Sequence, residues 1–166
     1  MKQYLDYPES KATKSWSEED LIFSVVLHHE LGHYCGYVRF PKKPVREEGY
    51  HGILTYVPVH GGITYAEQGK DGSMVYGFDC AHSGDWCSCH QMGHKWTLQE
   101  VREEIKKMAV SIQLIAKYER RYLRNITPKG KAKVIDEYHE ELKKQNIAFD
   151  LQDNFGAMLN LLAGQI

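Results

Sequence analysis

The sequence predicts an α+β fold: a small antiparallel sheet over residues about 20–90, followed by helices that pack on it over about 97–166. Two observations carry this. The first half is rich in Val, Ile, Tyr, Gly and Pro, arranged as short apolar runs bounded by turn residues, which is how strands read. The second half changes to apolar spacings of three and four, the pattern of a helix that buries one face. Strands first and helices afterwards segregate into an α+β domain.

Taken in order, residues 1–16 are polar and read as a loose N-terminal lead-in, leaving 17–166 as a single domain. Pro41, Pro44 and Pro58 interrupt any long helix in the strand region. Thr97, with Glu100 three residues on, makes a capping box. Val101, Ile105, Met108, Ile112 and Ile115 then recur at spacings of four, three, four and three, so they share one helical face. Glu103, Glu104, Lys106 and Lys107 fall outside that stripe and read as its solvated side. Thr127-Pro128 and Gly130 break the pattern before a second helix through Val134, Tyr138 and Leu142. Asp153 is placed to cap a short final helix carrying Phe155, Met158, Leu159 and Leu162.

Composition narrows the function classes. A chain of 166 residues buries a core without staples, and its 42% hydrophobic and 26% charged residues are those of a globular protein. A formal net charge of −1 gives no general attraction to DNA or to anionic membrane. No apolar run approaches the roughly 18 residues that span a bilayer, and the N-terminus lacks the apolar core of a signal peptide. The expectation is a cytoplasmic protein. In that compartment Cys35, Cys80, Cys87 and Cys89 are expected as thiols or metal ligands rather than as disulfides.

The densest chemistry lies between Val59 and Asp85. His60-Gly61-Gly62 precedes Ile63-Thr64-Tyr65, and Val75-Tyr76-Gly77-Phe78 leads into Asp79-Cys80-Ala81-His82 and then Gly84-Asp85. Glycines let backbone approach a ligand, while His, Thr, Asp and Tyr supply oriented donors and acceptors. The candidate ligand-binding residues are therefore His60, Thr64, Tyr65, Asp79, His82 and Asp85. Imidazole donates to phosphate, Asp accepts from ribose hydroxyls, and Tyr65 or Tyr76 offers a ring for a base to stack on. The same His and Asp groups also suit acid–base or metal-assisted hydrolysis. The plainest reading is two strands of a hairpin with polar residues in the turns.

The succession Cys35-Gly36-Tyr37-Val38, Pro41, then Val59 to Tyr65, then Gly77 to Asp85 resembles a family of small proteins of tailed bacteriophages. The resemblance covers residues 33–85 and a following helix. The segment from Trp86 to His94 and the helices after Arg120 depart from the pattern. No activity comes with the resemblance. What it implies is a phage protein acting in the host cytosol, and with the chemistry above it suggests a sponge. Such a protein would evade immunity by sequestering a nucleotide-derived host signal, a cyclic nucleotide or an ADP-ribose derivative. Pockets that hold such molecules tightly often form between subunits, so a homo-oligomer is expected.

Two metal readings stand beside this. His29-Glu30-Leu31-Gly32-His33 matches the H-E-x-x-H of zinc peptidases, in which two histidines one helical turn apart bind zinc and the glutamate acts as base. Ser17 with Glu18, Glu19 and Asp20 suits a helix start, and Glu137 or Glu140 would be available as a third ligand. Against this, Arg39 stands where the extended motif wants a third histidine. The flanking runs, Ile22 to Val26 and Tyr34 to Val38, favour strand. The expected alternative is a β-hairpin turning near Leu31-Gly32, on which His29 and His33 do not meet as they would across one helical turn. The second group is Cys80, His82, Cys87, Cys89, His90 and His94, from which four ligands would make a possible structural zinc site. Its spacing departs from paired C-x-x-C knuckles, and a reduced, partly exposed insertion is the simpler reading.

Other machinery is missing: no phosphate-cradling G-x-x-x-x-G-K-[ST], no G-x-G-x-x-G after a strand, and no nucleophile elbow. Cys80 near His82 has the residue types of a thiol nucleophile and its base, but a buried cysteine is the commoner outcome. The function classes in play are a non-enzymatic small-molecule binder, a zinc-dependent hydrolase or peptidase built on His29, Glu30 and His33, and an adaptor that uses the helix from Thr97 to Tyr122.

Overall fold

A computed structural model describes residues 7–149. The expected final helix from Asp153 lies outside them. Five strands, β1 Lys14–Glu18, β2 Leu21–Leu27, β3 Tyr34–Phe40, β4 Tyr65–Gln68 and β5 Met74–Asp79, form one antiparallel sheet in the order β1-β2-β3-β5-β4. Two helices follow, α1 Leu98–Arg124 and α2 Pro128–Lys144. The α+β expectation holds. The sheet starts earlier than expected, however. Residues 7–16 of the supposed lead-in include a 3-10 turn, Pro8–Lys11, and most of β1. Arg39 on β3 holds this segment, its guanidinium 2.6 Å from Glu9 Oε1 and over the Tyr7 ring.

Strand alternation decides the two faces of the sheet. Phe23, Val25, Val38, Phe40, Met74, Tyr76 and Phe78 are buried on one face. Against them α1 lays the predicted stripe, Val101, Ile105, Met108, Ile112 and Ile115, every member fully buried. The helix comes closest at Gly36, where a Cβ would sit 2.6 Å from Ile105 Cγ1 and 2.6 Å from Phe78 Cε1. Only glycine admits α1 at that depth. On the other face Cys35, Tyr37 and Arg39 pair with Asp79, Gly77 and Val75.

Thr97 closes the predicted capping box: its hydroxyl accepts from the Glu100 amide, and the Glu100 carboxylate accepts from the Thr97 amide at 2.7 Å. Thr127 caps α2 by accepting from the Gly130 amide. Val134, Tyr138 and Leu142 bury the inner face of α2, and the Tyr138 hydroxyl donates to the Ser111 carbonyl of α1. No helix among the described residues is long and apolar enough to cross a membrane.

Candidate functional site

The site lies where α1 begins beside the end of β5. Two tight turns deliver its histidines. In Val59 to Gly62 the Gly62 amide donates to the Val59 carbonyl, and in His82 to Asp85 the Asp85 amide donates to the His82 carbonyl. Gly61 takes φ +70, which a residue with a Cβ adopts only at a cost. Its bare Cα also makes room for a neighbour, because a Cβ there would lie 2.1 Å from His82 Cε1. The His60 and His82 rings therefore meet edge to face, with centroids 5.2 Å apart.

Asp85 organises the cluster from beneath. It is 4% exposed, and three groups donate to it: His60 Nε2 to Oδ2 at 2.7 Å, the His82 amide to Oδ2 at 2.9 Å, and Trp96 Nε1 to Oδ1 at 2.9 Å. Burial pushes this carboxyl up, but the three hydrogen bonds outweigh burial and leave it below the usual carboxylate range. Bonds to a charged acceptor contribute about 1.5–3 kcal/mol each, so three of them are enough to keep it ionised. An ionised Asp85 can only accept, which places the proton of His60 on Nε2. Trp96 also tilts against the His60 ring at 4.5 Å, and Glu104 accepts from the His60 amide at 2.7 Å.

Asp79, at the end of β5, is the second carboxylate. Thr64 donates its hydroxyl to Oδ2 at 3.0 Å, and the Ala81 amide donates to Oδ1 at 3.1 Å. His82 Nδ1 stands between the two carboxylates, 3.8 Å from Asp79 Oδ1 and 3.7 Å from Asp85 Oδ2. Those distances are too long for hydrogen bonds. The nitrogen is buried with no hydrogen-bond partner.

Of the six residues picked from sequence, five come together: His60, Thr64, Asp79, His82 and Asp85. Tyr65 turns to the sheet face opposite α1, where its ring meets Tyr37 edge-on at 5.3 Å. The suggestion that Tyr76 stacks on a base is corrected, because Tyr76 is fully buried beneath α1. Sequence reasoning missed Trp96 and misplaced Glu104. Glu104 was assigned to the solvated side of α1, yet its side chain is 14% exposed and anchors His60. Its position offered a signal: it lies three residues from Val101 and four from Met108, at the edge of the buried stripe.

The H-E-x-x-H residues form a turn between β2 and β3, not a helix, as the strand-like flanks indicated. His28 Nδ1 accepts from the Leu31 amide, and the Gly32 amide donates to the His28 carbonyl. His29 and Glu30 point outward, their side chains 87% and 76% exposed. His33 is buried, stacked on His28, with its Nδ1 unpartnered. Burial lowers its pKa, His28 adds to this, and nearby Asp79 and Asp85 oppose it.

The six possible zinc ligands do not form one group: Cys87, Cys89 and His90 lie together, while Cys80, His82 and His94 have other surroundings. Cys80 is buried, and burial with the Asp85 charge pushes its thiol far up, unlike an activated nucleophile. His94 pairs with Glu100 at 3.0 Å, and His82 belongs to the cluster above. Cys87 and Cys89 are joined by a disulfide, which corrects the expectation of thiols. The reason is local. Gln91 donates its amide to the Cys87 carbonyl, and the chain folds back until the two cysteine Cα atoms are 5.4 Å apart, within bridging reach. This loop grips the β2–β3 turn, with the Ser88 amide donating to the Leu31 carbonyl and Trp86 packed over Gly32. His90 lies beside the sulfurs, so a reduced pair keeps three ligand atoms within 4.8 Å of one another.

No family model, curated protein or solved structure matches this chain. The site is shallow: side-chain exposures of 18% for His60, 31% for His82 and 32% for Asp79 leave three polar groups at a lip. A separate cavity of about 280 Å³, lined by Arg46, Glu47, Glu48, Glu119 and Tyr122 among others, contains none of these groups. The histidine cluster is the better candidate, because two imidazoles and two carboxylates meet there around a buried His82 Nδ1 without a hydrogen-bond partner, whereas the buried Glu119 carboxylate of this cavity already accepts from the Arg46 amide.

Proposed function

We propose that the chain binds a small anionic, nucleotide-derived molecule at the lip formed by His60, His82 and Asp79. The observation that carries the reading is the pair of imidazoles locked edge to face over Gly61, with an ionised Asp85 fixing the first of them. Preoriented imidazoles suit phosphate oxygens, and Asp79 with Thr64 suits a sugar hydroxyl. A shallow lip becomes an enclosing pocket when a second copy of the chain covers it, so the reading includes a homo-oligomer. The resemblance to phage proteins suggests sequestration of a host immune signal as the purpose. Sequestration demands nanomolar affinity, about 12 kcal/mol.

The test incubates the protein with cyclic dinucleotides, cyclic trinucleotides and ADP-ribose derivatives, separates bound from free by ultrafiltration, and identifies both fractions by mass spectrometry. A compound depleted from the filtrate and recovered intact from denatured protein is expected. Folded His60→Ala and Asp79→Ala variants should lose it. No depletion, or full affinity in both variants, overturns the reading. One observation favours a second outcome, hydrolysis: a carboxylate 2.7 Å from an imidazole is how a general base is oriented. Recovery of a cleaved product would identify it.

A further inference from the structure

Tetrahedral zinc binds imidazole nitrogen at roughly 2.0–2.1 Å and carboxylate oxygen at roughly 2.0–2.2 Å, which spaces neighbouring ligand atoms about 3.3–3.5 Å apart. The ligand atoms of His60, His82 and Asp85 all lie within 4.8 Å of one another. His82 Nδ1 stands 3.7 Å from Asp85 Oδ2 and 3.8 Å from Asp79 Oδ1, bonded to neither and otherwise unpartnered. A buried imidazole nitrogen facing two carboxylates across a gap too wide for a proton has the spacing of ligands around an ion.

We propose that His60 Nε2, His82 Nδ1 and Asp85 Oδ2 hold a divalent transition-metal ion of the zinc class, with Asp79 Oδ1 beside it. Two imidazoles in the set disfavour magnesium and calcium, which take oxygen ligands. The supporting shell is in place. Trp96 Nε1 and the His82 amide hold Asp85, while Thr64 and the Ala81 amide hold Asp79. Only the short His60–Asp85 contact must change. Its proton leaves Nε2 and the neutral ring takes one up at Nδ1, so that Nε2 offers its lone pair to the metal and Asp85 Oδ2 binds the same ion. Three protein ligands leave a coordination position open. Resting on the binding reading above, that position would take a phosphate or hydroxyl oxygen of the small molecule.

The experiment titrates chelator-treated protein with Co²⁺ alone and reads visible absorption, followed by competition with Zn²⁺. One ion per chain is expected, with a four- or five-coordinate d–d spectrum and no thiolate-to-cobalt charge-transfer band. Affinity should fall by more than about a hundredfold in His60→Gln and in His82→Gln, and stay unchanged in a Cys87→Ser/Cys89→Ser variant. Failure to take up either metal, a thiolate band, or undiminished binding in both histidine variants overturns the proposal. Should a histidine variant not fold, the wild-type stoichiometry and spectrum decide alone. Metal uptake without nucleotide depletion defeats the binding reading and keeps the metal site, whereas nucleotide binding by protein that takes up no metal does the reverse.

Discussion

Gly61 and His82 share a space that admits only one side chain: a Cβ on Gly61 would lie 2.1 Å from the His82 ring. The ring is 31% exposed, so it has somewhere to go. A substitution at Gly61 is therefore expected to displace His82 rather than to unfold the domain.

Gly61→Ala should cost about 1–2 kcal/mol, the strain of a left-handed conformation on a residue with a Cβ. Ligand or metal binding should fall by at least tenfold. Thermal denaturation alongside the binding assays separates the two effects. Unchanged binding in a folded variant would show that the seating of His82 does not matter.

Gly36→Ala is the contrasting case. Its Cβ would meet Ile105 and Phe78, both fully buried and unable to swing outward. Overpacking of this kind costs about 1–3 kcal/mol, so the urea midpoint should drop. Binding should be retained below the unfolding transition, because the site is fixed by contacts that Gly36 does not make. A wild-type midpoint would mean that α1 can lift from the sheet without penalty.

Stability should decline in mild acid through His139. Its Nε2 donates to the Tyr56 carbonyl at 3.2 Å and its ring stacks on Phe149. Burial lowers its pKa from the ordinary 6.5, and the Tyr56 bond only partly offsets this. With the folded value below the unfolded one, the unfolded chain takes the proton first. The contribution of His139 is therefore complete above 6.5 and is lost as pH falls from there through the folded value. His33 acts with the same sign. Urea midpoints should fall between about pH 7.5 and about pH 5.5, and His139→Gln should flatten that slope. An identical slope in the variant would remove His139 as the cause.

Local signals are read in sequence where a residue's neighbours along the chain decide its fate. The stripe from Val101 to Ile115, the Thr97–Glu100 box and the break at Thr127-Pro128 before a second helix depend on contacts within one helix or one turn, and all three appear as expected. The H-E-x-x-H segment was legible for the same reason: strand-forming flanks make Leu31-Gly32 a turn whatever the motif suggests.

The sequence alone determined the α+β order and identified His60, Thr64, Tyr65, Asp79, His82 and Asp85 as a polar group worth joining, because turn glycines and alternating apolar runs are local properties of the chain. Only the tertiary structure decided what those residues became. Asp85 turned from a presumed ligand contact into the buried anchor of His60, because Trp96 and the His82 amide reach it as well. Glu104 left the solvated side because the Val59–Gly62 turn packs against the start of α1 and presents it with the His60 amide. Tyr65 went to the opposite face, since a one-residue step along a strand reverses the side of the sheet. The 86–94 loop came to clasp the distant β2–β3 turn, where the Ser88 amide donates to the Leu31 carbonyl. The Asp85–His60, Glu104–His60 and Ser88–Leu31 contacts join groups far apart in the chain, whose distances no pattern of neighbouring residues encodes.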